Sequence, residues 1–128
     1  MASHTSPLLS LLLLLLLPRP SQLYSMHNCS MPLFNLWIVN CDFRELTMLP
    51  SDIPRSAQFL SAVANKIRSL RRIDLFGFHQ LQTLNLNINQ IVSIESGAFL
   101  YSPTLTELSL FSNRLTNLTE DMFKGLSS

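Results

Sequence analysis

From Ala57 onward the chain carries columns of residues of matched type, most of them apolar, that recur every 24 positions. Asn65, Asn89 and Asn113 keep this spacing, as do Leu60, Leu84 and Leu108; Ala62, Leu86 and Leu110; and Ile67, Ile91 and Leu115. Leu70, Ile94 and Leu118 form a further column, as do Leu75, Phe99 and Phe123, while Ala57, Leu81 and Leu105 begin the units. Three copies of so many matched columns divide the chain into residues 57–80, 81–104 and 105–128. Within a unit, Leu84 and Leu86 flank Asn85. This alternation predicts a short strand with one buried face. The strand then has to turn, and Asn89 stands where it does. A buried amide there can satisfy backbone groups that the bend leaves unpaired, so stacked units are expected to line up Asn65, Asn89 and Asn113 as a ladder. Ile91 and Ile94 return to the core and Phe99 fills the back of the coil. A single unit cannot bury its own apolar side, and stacking about three of them does.

The N-terminal pattern differs. Pro7 to Leu17 is apolar apart from Ser10 and is followed by Pro18, Arg19 and Pro20. The run is shorter than the roughly 20 residues a membrane-spanning helix needs. An apolar core of this length, followed by Ser21 to Ser25, reads as a secretory signal peptide over residues 1–25, although its first residues contain no Lys or Arg. No later segment reads as a membrane span. Secretion in turn decides how Cys29 and Cys41 are read. As the two cysteines of a chain in an oxidising compartment they favour a disulfide over a metal site. It also makes acceptor sequons of Asn28-Cys29-Ser30 and Asn117-Leu118-Thr119. Composition adds exclusions: 47% apolar residues and a net charge of +1 argue against a disordered tail, a collagenous chain or a strongly basic nucleic-acid binder.

The pattern L-x-x-L-x-L-x-x-N-x-L, at Leu81 to Ile91 and Leu105 to Leu115, resembles the leucine-rich repeat of extracellular proteins. Cys29, the apolar run Leu36 to Val39, Cys41 and the segment Leu49 to Pro54 are similar to the N-terminal cap of such proteins. Cap and repeats together look most like the start of a Toll-like receptor ectodomain, or of the regulatory subunit of carboxypeptidase N. The resemblance implies an α/β leucine-rich-repeat solenoid. Short parallel strands would line its concave face, its convex side would be irregular, and a disulfide-bridged hairpin over residues 26–56 would cover one end. Departures are expected to matter. Ala57 and Ala62 thin the first repeat unless Phe76 and Phe78 compensate, and Ser102 stands where its neighbours carry Phe78 and Leu126. The cap has two cysteines where many relatives have four. With Ser128 one residue short of a fourth unit, the array reads as truncated.

In this fold the residues between the buried leucines face outward along the concave sheet. They are Gln58, Phe59, Ser61 and Val63; Gln82, Thr83, Asn85 and Asn87; and Thr106, Glu107, Ser109 and Phe111. From these we take Phe59, Ser61, Val63, Thr83, Asn85, Asn87, Glu107, Ser109 and Phe111 as candidate ligand contacts, aromatic residues being favoured anchors. Arg55, Lys66, Arg68, Arg71 and Arg72 form a basic cluster that suits either an anionic partner or a solvated loop, the latter favoured because no aromatic residue interleaves it. Nothing points to catalysis, a metal or a cofactor. His27 and His79 fit no metal or nucleophile pattern, and Asp74 near His79 is placed on a convex loop without a cleft. The expected function is therefore non-catalytic recognition of a protein, glycan or microbial ligand by a secreted or cell-surface module. Alternatives are a structural or regulatory subunit that stabilises another protein, and a fragment without independent function.

Overall fold

The computed structural model describes residues 29–126, so the signal-peptide assignment over 1–25 and the Asn28 sequon lie outside the described residues. Four strands form one parallel sheet: β1 (Ile38–Asn40), β2 (Phe59–Ser61), β4 (Thr83–Asn85) and β6 (Glu107–Ser109), in that spatial order. Two shorter strands, β3 (Ser69–Leu70) and β5 (Ser93–Ile94), pair in parallel as a second sheet. Between the sheets, on the far side of each coil, the backbone takes whatever form the local residues allow. It is a single α-helical turn, α1 (Arg72–Leu75), in one coil, turns in the next, and a 3-10 turn at Glu120–Phe123 in the last. The fold is a leucine-rich-repeat solenoid.

Register explains the core. Leu60 lies beside Leu84 and Leu84 beside Leu108, so the 24-residue period becomes rows of stacked side chains. Val39 extends the first row into the cap, but at an offset of 21, since β1 pairs Val39 with Leu60. The same offset places Cys41 in the row of Ala62 and Leu86, Leu46 in that of Ile67 and Ile91, and Leu49 in that of Leu70 and Ile94. All are buried. The cap is thus itself a coil. Its hairpin closes through reciprocal backbone bonds, Ser30 N–H to Asn40 C=O at 2.7 Å and Asn40 N–H to Ser30 C=O at 2.8 Å, and the Cys29–Cys41 disulfide joins its two arms.

Local compensation is uneven. Ala57, Ala62 and Phe78 are all fully buried, and the Arg55 guanidinium lies 4.2 Å above the Phe78 ring. Phe76 instead stays exposed and meets Tyr101 edge-on at 5.1 Å. Ser102 is buried in the row of Phe78 and donates its hydroxyl to the Leu75 carbonyl at 3.3 Å. Phe99 stacks on Phe123 with 6.2 Å between ring centres. Leu118, expected in the row of Leu70 and Ile94, is 69% exposed, because no further coil covers it among the described residues.

Each coil turns through the left-handed region, at Phe43 and Glu45 in the cap and at Ala64, Ile88 and Ser112 in the repeats, with φ between 55° and 58°. None of them is glycine. The asparagine that follows in the last three coils holds the bend. Asn89 accepts from the Ile67 N–H at 3.1 Å and donates to the carbonyls of Ala62 at 2.8 Å and Leu86 at 3.1 Å. Asn113 makes the equivalent bonds to Ile91, Leu86 and Leu110. Asn65 reaches into the cap, accepting from Arg44 and Leu46 N–H and donating to the Cys41 carbonyl. Every side chain in this row therefore crosses to the preceding coil. Buried amide bonds each add about 1 kcal/mol net, and an orphaned buried partner costs about 1–3 kcal/mol.

Two outcomes follow from this arrangement. Asn89→Ala strands the Ile67 N–H and the Ala62 carbonyl, and is expected to lower unfolding free energy in denaturant by about 2–4 kcal/mol. Ile88→Asn replaces a β-branched residue at positive φ with one that tolerates it, and is expected to raise stability by about 0.5–1 kcal/mol in the same measurement.

Candidate functional site

Outward-facing residues of β1, β2, β4 and β6 form a grid whose rows run across the strands. The first row is Ile38, Phe59, Thr83 and Glu107, and the second is Asn40, Ser61, Asn85 and Ser109. One step beyond each strand lies a third row, Asp42, Val63, Asn87 and Phe111. All nine candidate contacts fall on this one face. Phe59, Glu107 and Phe111 are exposed, Phe111 by 73%, and the other six are half-buried.

Hydrogen bonds divide the grid into groups with free capacity and groups without. Asp42 Oδ1 accepts from the Ser61 hydroxyl at 2.6 Å and from the Val63 N–H at 2.7 Å. Two coils later Asn87 Oδ1 does the same for the Ser109 hydroxyl at 2.7 Å and the Phe111 N–H at 2.6 Å. The ordering residues are themselves ordered: Asn40 Oδ1 accepts from the Asp42 N–H, and Asn85 Oδ1 from the Asn87 N–H. Ser61 and Ser109 thus donate their protons within the sheet, where they hold the backbone in place. Phe59, Val63, Phe111 and Glu107 face outward, with Thr83 donating a long 3.4 Å bond to Glu107.

Sequence reasoning missed the first strand of this face. Ile38, Asn40 and Asp42 belong to it because Val39 and Cys41 alternate with Asn40 as Leu60 and Ala62 do with Ser61. The alternation was present in the chain, but the shorter offset hides it from a search at one fixed period. Ile38 and Phe59, directly paired, with exposed Trp37 alongside, make the cap end of the face apolar. Within this first row the Thr83 and Glu107 end is polar.

The basic cluster disperses into separate ties. Arg71 makes a paired contact with the buried Asp74, at 2.9 Å to Oδ1 and 3.3 Å to Oδ2, while its own N–H bonds Oδ2 at 2.7 Å and starts α1. That partner raises the Arg71 guanidinium above its usual value. Arg55 donates to the Asp74 and Ser51 carbonyls, and burial lowers its pKa against the opposing charge of Asp74. Arg72 binds Glu95 and the Ser96 carbonyl, and Lys66 faces Glu45 at 3.6 Å. Arg55, Arg72 and Lys66 thus join one coil to its neighbour, whereas the Arg71–Asp74 pair lies within one coil. Arg68 is exposed.

Catalytic geometry does not assemble around Asp74, whose two oxygens are taken by Arg71. Among the described residues no group of three His, Cys, Asp or Glu side chains could hold a metal ion, and no helix is long and apolar enough to cross a membrane. A convex-side groove of about 610 Å³ between cap and first repeat is lined by Met48, Leu49, Arg55, Arg71, Ile73 and Asp74, among others.

Comparison with known proteins agrees with the geometry. Residues 79–128 match the family model described as leucine rich repeat. The chain is 29% identical to the platelet glycoprotein Ib alpha chain of Mus musculus over 91% of its own length and 19% of that protein's. It is 34% identical to Toll-like receptor 13 of Mus musculus over 88% of this chain and 12% of the receptor. A solved TLR13-ssRNA13 complex superposes with a TM-score of 0.72 at 29% identity, covering 80% of this chain and 15% of that one. The chain spans about a fifth of the first of these relatives and about an eighth of the second. It is a leucine-rich-repeat protein. Within that class it resembles part of a Toll-like receptor ectodomain.

Exposed anchors and internal ties should separate cleanly in stability. Phe59→Ala and Phe111→Ala are expected to stay within about 0.5 kcal/mol of the parent in thermal and denaturant unfolding, whereas Asp42→Ala, which orphans the Val63 N–H, is expected to lose about 1–3 kcal/mol.

Proposed function

We propose that this chain is a non-catalytic recognition module, secreted or displayed on the outer face of the cell, that binds a protein or microbial ligand through its concave sheet. On this reading residues 1–25 are removed, residues 26–56 form the cap, and residues 57–80, 81–104 and 105–128 are the repeats. The observation that carries the reading is the contrast within the concave grid. Its polar residues are largely spent on holding the sheet rigid, while Phe59 and Phe111 stand exposed on it with their backbone positions fixed. Large aromatic side chains on a preorganised surface lose little entropy on binding and are favoured hot spots. Glu107, at the polar end of the same face, supplies charge selectivity. The disulfide fits an oxidising compartment, and the similarity to a receptor solved in complex with a ligand supports recognition as the task.

The test is capture by the full-length chain, expressed in secreting cells, of members of a panel of purified ectodomains and microbial glycans. A partner found with the parent is expected to lose affinity about tenfold with Phe59→Ala or Phe111→Ala, corresponding to about 1.4 kcal/mol for each anchor. Unchanged affinity in the double variant contradicts concave-face recognition.

A further inference from the structure

We propose that Asn117 carries an N-linked glycan, on the flank of the solenoid formed by the second sheet and away from the concave face. The inference rests on the extracellular reading above and adds the site and its orientation. The sequon Asn117-Leu118-Thr119 lies outside any helix or strand, with all three residues exposed. Asn117 stands one repeat after Ser93 and two after Ser69, the outward residues of β5 and β3. These serines alternate with the inward Leu70 and Ile94, so this column points away from the core. The two residues that precede it in this column, Ser69 and Ser93, are small and polar, which leaves room for a first sugar over Ser93.

The amide itself distinguishes this position. A glycosylated carboxamide has to sit in the folded chain without giving up hydrogen bonds that the fold depends on. The sequence is rich in asparagine, and the ladder shows how readily this fold consumes such amides. Every other asparagine among the described residues makes at least one side-chain hydrogen bond. The Asn117 side chain makes none to a described residue, so its place in the chain has no structural explanation of the kind that accounts for Asn65, Asn89 and Asn113.

The reaction is a group transfer from a lipid-linked oligosaccharide diphosphate. Asn117 Nδ2 attacks the anomeric carbon of the first N-acetylglucosamine, and a C–N bond forms as the C–O bond to the diphosphate breaks. The amide proton passes to base, and the lipid diphosphate leaves. In this position the sugar leaves Phe59, Val63 and Phe111 uncovered. A partner can then approach the concave sheet while the opposite flank remains hydrophilic.

The experiment expresses the full chain in cells with a secretory pathway and measures intact mass, from medium and lysate together, before and after enzymatic release of N-glycans. The parent is expected to carry releasable sugar that Asn117→Gln and Thr119→Ala both remove and that Thr119→Ser, which preserves the acceptor motif, retains. A parent whose residues 1–25 are cleaved but which carries no sugar overturns this inference alone. Sugar that persists in full on Asn117→Gln also overturns it, assigning the glycan to Asn28. A parent that retains residues 1–25 and carries no sugar overturns both this inference and the extracellular reading beneath it.

Discussion

Everything in this molecule depends on a debt that one coil cannot settle. Turning the chain after a three-residue strand leaves buried backbone donors and acceptors without local partners, and in water-free surroundings such groups are costly. The asparagines at 65, 89 and 113 resolve this by crossing to the previous coil, taking an N–H there and giving to a carbonyl on either side. Stacking is thereby made specific as well as favourable. Apolar rows alone tolerate slippage, but an amide with a donor and an acceptor at fixed positions accepts one register.

The cap follows from the same constraint. Among the described residues no coil precedes the cap, which is closed by a hairpin and a disulfide and offers the Leu46 N–H and Cys41 carbonyl to the first ladder asparagine. It also contributes β1, so that the outer sheet begins in the cap and has four strands. A continuous parallel sheet tied at Asp42 and Asn87 is a stiff platform. On the recognition proposed above, binding would fall to the few residues that the ties leave over, aromatic at Phe59 and Phe111 and acidic at Glu107.

Much of this was legible in the chain. The 24-residue period places Leu60, Leu84 and Leu108 in one row, since strand pairing simply reads the period out in space. The cap coil was not found, because its offset of 21 shortens the return from Leu49 to Leu60 by three residues relative to that from Leu70 to Leu84, while leaving the alternation of Val39 and Cys41 intact. Leu118 matched its column by type but is exposed, burial depending on a neighbour and not on the residue itself. Of the two phenylalanines near the thin first repeat, only Phe78 turns inward, and sequence spacing alone carries no information about that choice. The concave row likewise looked uniformly available. That Ser61 and Ser109 are spent within the sheet is visible only when Asp42 and Asn87 are placed beside them. The basic run looked like one patch, yet its residues separate once the backbone coils, and Arg55, Lys66, Arg71 and Arg72 each find a nearby oxygen.

The central claim is that side-chain amides lock each coil to the one before. Amide hydrogen exchange of the native protein reads it most directly, at Leu46, Ile67 and Ile91, whose N–H groups donate to Asn65, Asn89 and Asn113. The account predicts that all three exchange slowly and with a common opening free energy close to that of global unfolding. Exchange at these positions as fast as in an unstructured peptide, or opening energies unrelated to one another, contradicts it.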